Sequence, residues 1–324
     1  MHVSTALPDA EERISIIVHR PAVDRAYRLT ARAAGVIVLA VMGLIAAFLL
    51  VRALPALRSA GWGFLTTSEW HPESGTFGIL AVLTGTVLIA VVALVIAVPL
   101  SIGAALFITD YAPRGLRRPI TSLVDLLAAV PSLIYGLWGL FFLQEPLIDL
   151  SRWLTDHLSV LPFFQTTQSN YASSAFIAGV VVSLMVVPIC TSVIREVFSQ
   201  APEGEKEGAL ALGATRWGMV RTVVLPFGRG GIIGGSMLGL GRALGETIAV
   251  TLIISPIFIA TDKILNGGGN SISALIALRF SEADAFGISA LMAAGLALFV
   301  VTLAVNAIAS VIVSRSRSGA ATEI

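Results

Sequence analysis

Two ionisable side chains interrupt an otherwise uncharged stretch of this chain: Arg242 and Glu246, in GLGRALGETIAV from Gly239 to Val250. They follow the start of an apolar run at Gly230 by about ten to fifteen residues, which at ~1.5 Å per residue places them near mid-bilayer if the run is a membrane span. An arginine there costs roughly 2.5 to 3.5 kcal/mol on insertion scales, so such residues mark a pathway or a pair. Spaced four apart, the two can pair on one face of a continuous helix. At about 100° per residue, Gly231, Gly235 and Gly239 fall within about 60° of Arg242, whereas Ile233, Met237, Leu240 and Leu244 fall on the far side. Small residues at that spacing permit close helix packing in lipid, so the pair is expected to face protein or a pore. One reading is an internal salt bridge that locks the fold, although a neutral pair does that with less desolvation. The other is an anion path, because guanidinium presents a fork of donors that matches a tetrahedral oxyanion. Glu246 then favours an ion that can donate to a carboxylate: hydrogen phosphate can, whereas fully ionised sulfate cannot and is repelled.

A second constellation is polar and helix-forming: EGALALGATRWGMVRTVVLP, Glu207 to Pro226. Pro202 suits a first helical position, and Glu203 and Glu205 place negative charge where the helix dipole favours it. Gly213 is expected to stop this helix after about three turns, and Thr215 to cap a second that ends before Pro226. Helix, glycine turn, helix along a membrane face can fit a groove in a soluble domain, with Gly208 and Ala209 allowing close backbone approach. The rival is a hairpin with no partner. The spacing resembles the cytoplasmic docking loop of bacterial ABC-importer permeases, E-A-A-x3-G-x9-I-x-L-P, with Gly208 for Ala, Val223 for Ile, and Leu225 and Pro226 in place. A phosphate-binding loop needs Gly-Lys before Ser or Thr. Lys206 and Lys263, the two lysines, follow Glu205 and Asp262, so ATP and its Mg are expected on a separate polypeptide.

The elements that must position these residues are membrane spans. The chain has 324 residues, 56% hydrophobic and 13% charged, against about 25% charged in soluble domains. Uncharged stretches of the ~20 residues that cross a bilayer run over 33–51, 76–109, 126–143, 172–194 and 285–314, and a sixth, 230–261, is broken by Arg242 and Glu246. The expected fold is an all-α integral membrane protein with six transmembrane helices, a transmembrane domain over 33–314 and tails at 1–32 and 315–324. Fifteen of the 21 basic residues fall on one side if both termini are cytoplasmic, and five on the other. Positively charged short loops stay inside, which puts the docking loop, 195–229, in the cytoplasm.

Smaller readings follow. The first apolar run is too long and too late for a cleaved signal peptide. The tail from about Ala22 is either an amphipathic helix or a solvated leader. Pro99, Pro131 and Pro188 are read as kinks, and Asp125 as the cap of the third span. An outer loop, 144–171, is expected to carry a short amphipathic helix, and the glycine-rich loop 263–270 to be flexible. Cys190 excludes an internal disulfide and reads as packing, and the scattered His2, His19, His71 and His157 offer no metal cluster. Charge segregated by side also argues against nucleic acid.

With the docking loop, SLVDLLAAVPSLIYGLWGLF (Ser122 to Phe141) and GLGRALGETIAV resemble the PstC-type permeases of bacterial phosphate ABC importers from about Arg28 onward. The resemblance implies type I importer architecture in the inner membrane, a PstA-type permease partner, two PstB-type ATPase subunits and an extracytoplasmic phosphate-binding protein. It also matches Arg242 and Glu246 to the family's charged positions implicated in phosphate passage. Rival readings are a permease for sulfate, molybdate or another small solute, an ion-coupled secondary carrier or channel, and a membrane scaffold for signalling.

Overall fold

The computed structural model describes residues 22 to 316 apart from Thr167. The expected tails, up to residue 21 and from 317, lie outside the described residues. In order, the elements are α1 (Ala22–Ala60), α2 (Gly63–Thr66), β1 (Trp70–His71), β2 (Thr76–Phe77), α3 (Leu80–Leu106), α4 (Arg114–Ala129), α5 (Ser132–Trp138), α6 (Gln144–Leu158) and α7 (Ala175–Ser199). Then come α8 (Glu203–Ala211), α9 (Arg216–Met219), α10 (Leu225–Phe227), α11 (Arg229–Leu244), α12 (Ile248–Ile253), α13 (Ile272–Arg279) and α14 (Ala285–Ser316). Wider π-helical turns at Phe107–Tyr111, Gly139–Leu143 and Val220–Val224 carry the chain from α3 onward, from α5 into α6, and from α9 into α10.

Among the described residues, five helical stretches are long and apolar enough to cross a bilayer: Asp24–Ala60, Leu80–Tyr111, Ser132–Leu158, Ala175–Ser199 and Ala285–Ile312. A sixth crossing forms if Arg216–Phe227 and Arg229–Leu244, bent by 66° to each other, act as one. Residues 22–48 are one helical arm whose apolar side chains, Val36, Leu39 and Leu44 among them, are exposed.

From Leu49 onward the chain is one compact unit built around α7. Ser174 caps that helix, its hydroxyl accepting from Ile177 N at 3.3 Å. Small residues let neighbours approach: a Cβ on Gly179 of α7 would sit 2.5 Å from the Val92 side chain of α3. At the end of α7, Phe198 is fully buried against Gly228, where no side chain could be accommodated. A second cluster joins residues 49–60 of α1, the β1–β2 hairpin and α14, with Phe77 edge-on to Trp70 at 6.0 Å and to Phe286 at 5.7 Å. There the Ser289 hydroxyl donates to Arg52 O at 2.8 Å and accepts from Ala56 N at 3.2 Å. It sits between the two groups that an α-helix would pair directly.

The structure moves several expected boundaries. The third crossing runs over Ser132–Leu158, not 126–143, because Pro131 and the extended Val130 (ψ 130°) end α4. Of the stretch expected as a loop with a short amphipathic helix, 144–171, the helix forms as α6 over Gln144–Leu158 but is continuous with that crossing, and only the remainder is loop. Asp125 caps nothing: it lies within α4 and faces Arg195 at 3.8 Å. Pro188 lies within α7 without ending it. The run over 230–261 does not stay helical to its end, since α11 stops at Leu244 and α12 ends at Ile253, three residues before Pro256. The glycine-rich loop is packed, not free. Leu265, Asn266 and Asn270 are buried, Gly268 takes φ +84°, and Gly267 lies on the Asn170 carbonyl. Thr86 Oγ1 accepts from Ile272 N at 3.0 Å, and Ser271 caps α13 by accepting from Ala274 N at 3.2 Å. Non-helical backbone among apolar helices needs such partners, which is why it is held.

Candidate functional site

The glycines of α11 set the position of Arg242. A Cβ on Gly231 would stand 2.5 Å from Val197, and one on Gly239 2.6 Å from Cys190 Sγ, so this stripe is pressed onto α7. Arg242 lies at the edge of that contact. On its other side opens a cavity of about 460 Å³, lined by Gly234, Met237, Leu238, Gly241 and Arg242, with Asn306 of α14 opposite. Met237 thus shares the cavity with Arg242 instead of facing away, because the cavity occupies the arc beside the glycine stripe rather than one centred on the arginine. Arg242 Nε is buried without a hydrogen-bond partner. Among the described residues no carboxylate comes within ion-pair distance of the guanidinium.

The expected pair of Arg242 and Glu246 on one helix face does not form. Gly245 ends α11, and Glu246, 8% exposed, turns the other way to accept from Ala249 N at 3.1 Å through Oε1. A carboxylate at a helix start satisfies one of the donors left without an intrahelical partner and meets the positive end of the dipole. That local gain explains why the helix breaks here. It leaves Arg242 as a fixed positive charge with open donors beside a cavity, an arrangement that can take an oxyanion.

The Glu207 to Pro226 segment folds as helix, turn, helix. Pro202 stands just ahead of α8 rather than as its first residue, Gly213 takes φ +86°, and Thr215 Oγ1 accepts from Gly218 N at 3.0 Å to cap α9. A left-handed φ suits glycine and resists other residues. The second helix does not end before Pro226: the π-helical turn absorbs the missing proline donor, and the helix runs to Phe227. Glu207 and Gly208 are exposed, Ala209 and Leu225 are half-buried against the core, and Pro226 is exposed. Large apolar side chains stand out on this surface, with Leu212 91% exposed and Trp217 57%.

Two features were missed in the sequence. Lys206 of α8, 7% exposed, places Nζ 3.2 Å from Asp110 Oδ1, while Asp110 Oδ2 accepts from Thr109 Oγ1 at 2.7 Å. The partners lie 96 residues apart, and no local pattern links them. Asn306 had a signal, being the one amide in the 285–314 run.

The family described as binding-protein-dependent transport system inner membrane component matches residues 97–318. The chain belongs to this family. Within it, the chain is 44% identical over 302 residues to the phosphate transport system permease protein PstC 2 of Mycobacterium tuberculosis, covering 91% of this chain and 93% of the relative. It is 40% identical over 329 residues to the phosphate transport system permease protein PstC of Mesorhizobium japonicum, covering 98% and 99%. Among solved structures, a bacterial alginate ABC transporter in complex with its alginate-bound periplasmic protein superposes with a TM-score of 0.59 at 17% identity, covering 94% of this chain and 98% of that one. The inward-facing MetNI methionine ABC transporter gives 0.51 at 15% identity, covering 74% and 94%. At those identities the likeness is one of fold, and it places this family member in the type I importer permease architecture.

Proposed function

We infer that this chain is a permease subunit of an ATP-driven importer for inorganic phosphate in the bacterial inner membrane, with both termini cytoplasmic. The observation that carries the reading is Arg242, a cation beside a cavity with a buried donor and, among the described residues, no carboxylate partner. Guanidinium donors replace part of the hydration that phosphate loses on entering the membrane. Glu246 does not line this cavity, and its part in the path is electrostatic: a negative charge close by opposes fully ionised sulfate more than hydrogen phosphate. The phosphate transport named for relatives more than 35% identical supports the same choice of ion. Glu207, Gly208, Ala209, Gly213, Leu225 and Pro226 belong to a cytoplasmic docking surface for a PstB-type ATPase dimer, which holds ATP and Mg. Exposed Leu212 and Trp217 give that surface apolar anchors of the kind that fill partner pockets. A PstA-type permease completes the path, and an extracytoplasmic phosphate-binding protein delivers the ion.

The test is labelled phosphate uptake into vesicles containing the complete transporter, with complex abundance measured in parallel. Arg242→Gln removes the fixed charge, and uptake is expected to fall to background while the complex persists. Normal uptake, or loss of uptake only through loss of the complex, would make Arg242 a structural residue and remove the proposal.

A further inference from the structure

The cavity beside Arg242 has a second polar wall. Asn306 lines it from α14, a helix that is mostly apolar between Ala285 and Ile312. Thr302, Asn306 and Ser310 recur there at intervals of four. At about 100° per residue, neighbours in that series lie within about 40° of each other, so the three form one stripe along the helix. Asn306 and Ser310 are exposed and Thr302 is half-buried. A polar side chain in a span turns toward protein or water-filled space, because lipid offers it no partner. Facing this wall, α11 presents Gly234 and Gly241 among Met237, Leu238 and Arg242. Unlike the glycines pressed onto α7, Gly230, Gly234 and Gly241 would each accept a Cβ with nothing within 4 Å. One set of glycines on α11 therefore closes a helix contact and the other leaves a groove open, and Arg242 stands between them.

We propose that Asn306 is a second substrate-contacting residue, donating its amide N–H groups to the oxyanion held by Arg242, and that Thr302 and Ser310 continue the polar track along α14. This rests on the reading of the cavity as an oxyanion path. The chemistry is complementary: a primary amide offers two donors and no charge. A second fixed cation would bind the ion more tightly but slow its release, and conduction needs a site favourable enough to enter and weak enough to leave. A hydroxyl one turn further along, at Ser310, offers the next donor in line.

The experiment compares Asn306→Asp with Asn306→Lys in the complete transporter, scoring phosphate uptake per assembled complex. Either charge is costly within a span, roughly 2.5 to 3.5 kcal/mol at its centre on insertion scales and less toward its ends, with Asp and Lys close to each other. A position that only packs helices therefore responds to both alike. On an anion path the sign matters: uptake by Asn306→Asp at subsaturating phosphate is expected at least about tenfold below that of Asn306→Lys, since like charge repels and opposite charge attracts. Equal uptake by the Asp and Lys variants overturns the proposal, and so does loss of a co-purifying second permease with uptake per remaining complex unchanged. If neither charged variant assembles, Asn306→Ser against Asn306→Leu makes the same comparison. Clearly higher uptake by the serine variant supports the proposal, and equal uptake overturns it. Arg242→Gln measured in parallel separates the two levels. An active Arg242→Gln removes the path reading altogether, whereas an inactive one with equal Asp and Lys variants removes Asn306 alone.

Discussion

Glycine serves opposite purposes on successive turns of α11. At Gly239 the missing Cβ lets Cys190 and Val186 come into contact with the helix, whereas at Gly234 it leaves space that nothing fills. Gly239→Val should therefore overpack the contact with α7 at a cost of about 1–3 kcal/mol, seen as a marked fall in the amount of assembled complex. Gly234→Ala should leave that amount unchanged, and equal yields of the two variants would contradict this division of the glycines. Arg242 itself was legible in the sequence because a charge in an apolar run is rare enough to draw notice. The partnership with Glu246 was misread, since the spacing argument assumes a helix that continues, and the carboxylate instead begins a new one. Asn306 escaped because an uncharged amide hardly lowers the hydropathy of a long apolar run.

At the scale of elements, the buried ion pair ties α8 to the end of α3. Removing one partner of such a pair leaves an uncompensated charge, typically costing 3–5 kcal/mol, whereas replacing both is tolerated. Lys206→Met alone should thus loosen α8 and lower the ATPase that co-purifies with the permease, and Asp110→Asn with Lys206→Met should restore much of it. Failure of the double variant to exceed the single one would show that the pair does not hold the proposed docking surface in place. The turn chemistry of this region was readable, because Gly213 and Thr215 act on their immediate neighbours. The Lys206 to Asp110 bond was not, since it depends on how two distant helices meet. The third crossing was misplaced for a related reason. Hydropathy reported an apolar stretch from 126, but Pro131 decides where the helix starts, and amphipathic α6 extends it beyond the apolar residues.

At the scale of the molecule, the number of apolar helices was legible and their continuity was not, because glycine and proline break runs that composition alone would join. The run over 230–261 is the clearest case, since α11 stops at Leu244, α12 ends at Ile253 and a packed, non-helical return follows. The Ser289 hydroxyl seated between Arg52 and Ala56 adds a consequence in time. The two ends of this contact are 237 residues apart, so during synthesis that stretch of α1 gains it only once α14 has been made. Until then the two segments can open independently, which favours the opened forms that proteases cleave. Ser289→Ala should be synthesised and inserted at the native rate, yet lose about 1 kcal/mol of hydrogen bonding, enough to shorten the lifetime of the chain severalfold. Pulse-chase labelling reads this directly. An unchanged half-life would mean that this clasp does not set how long the chain survives.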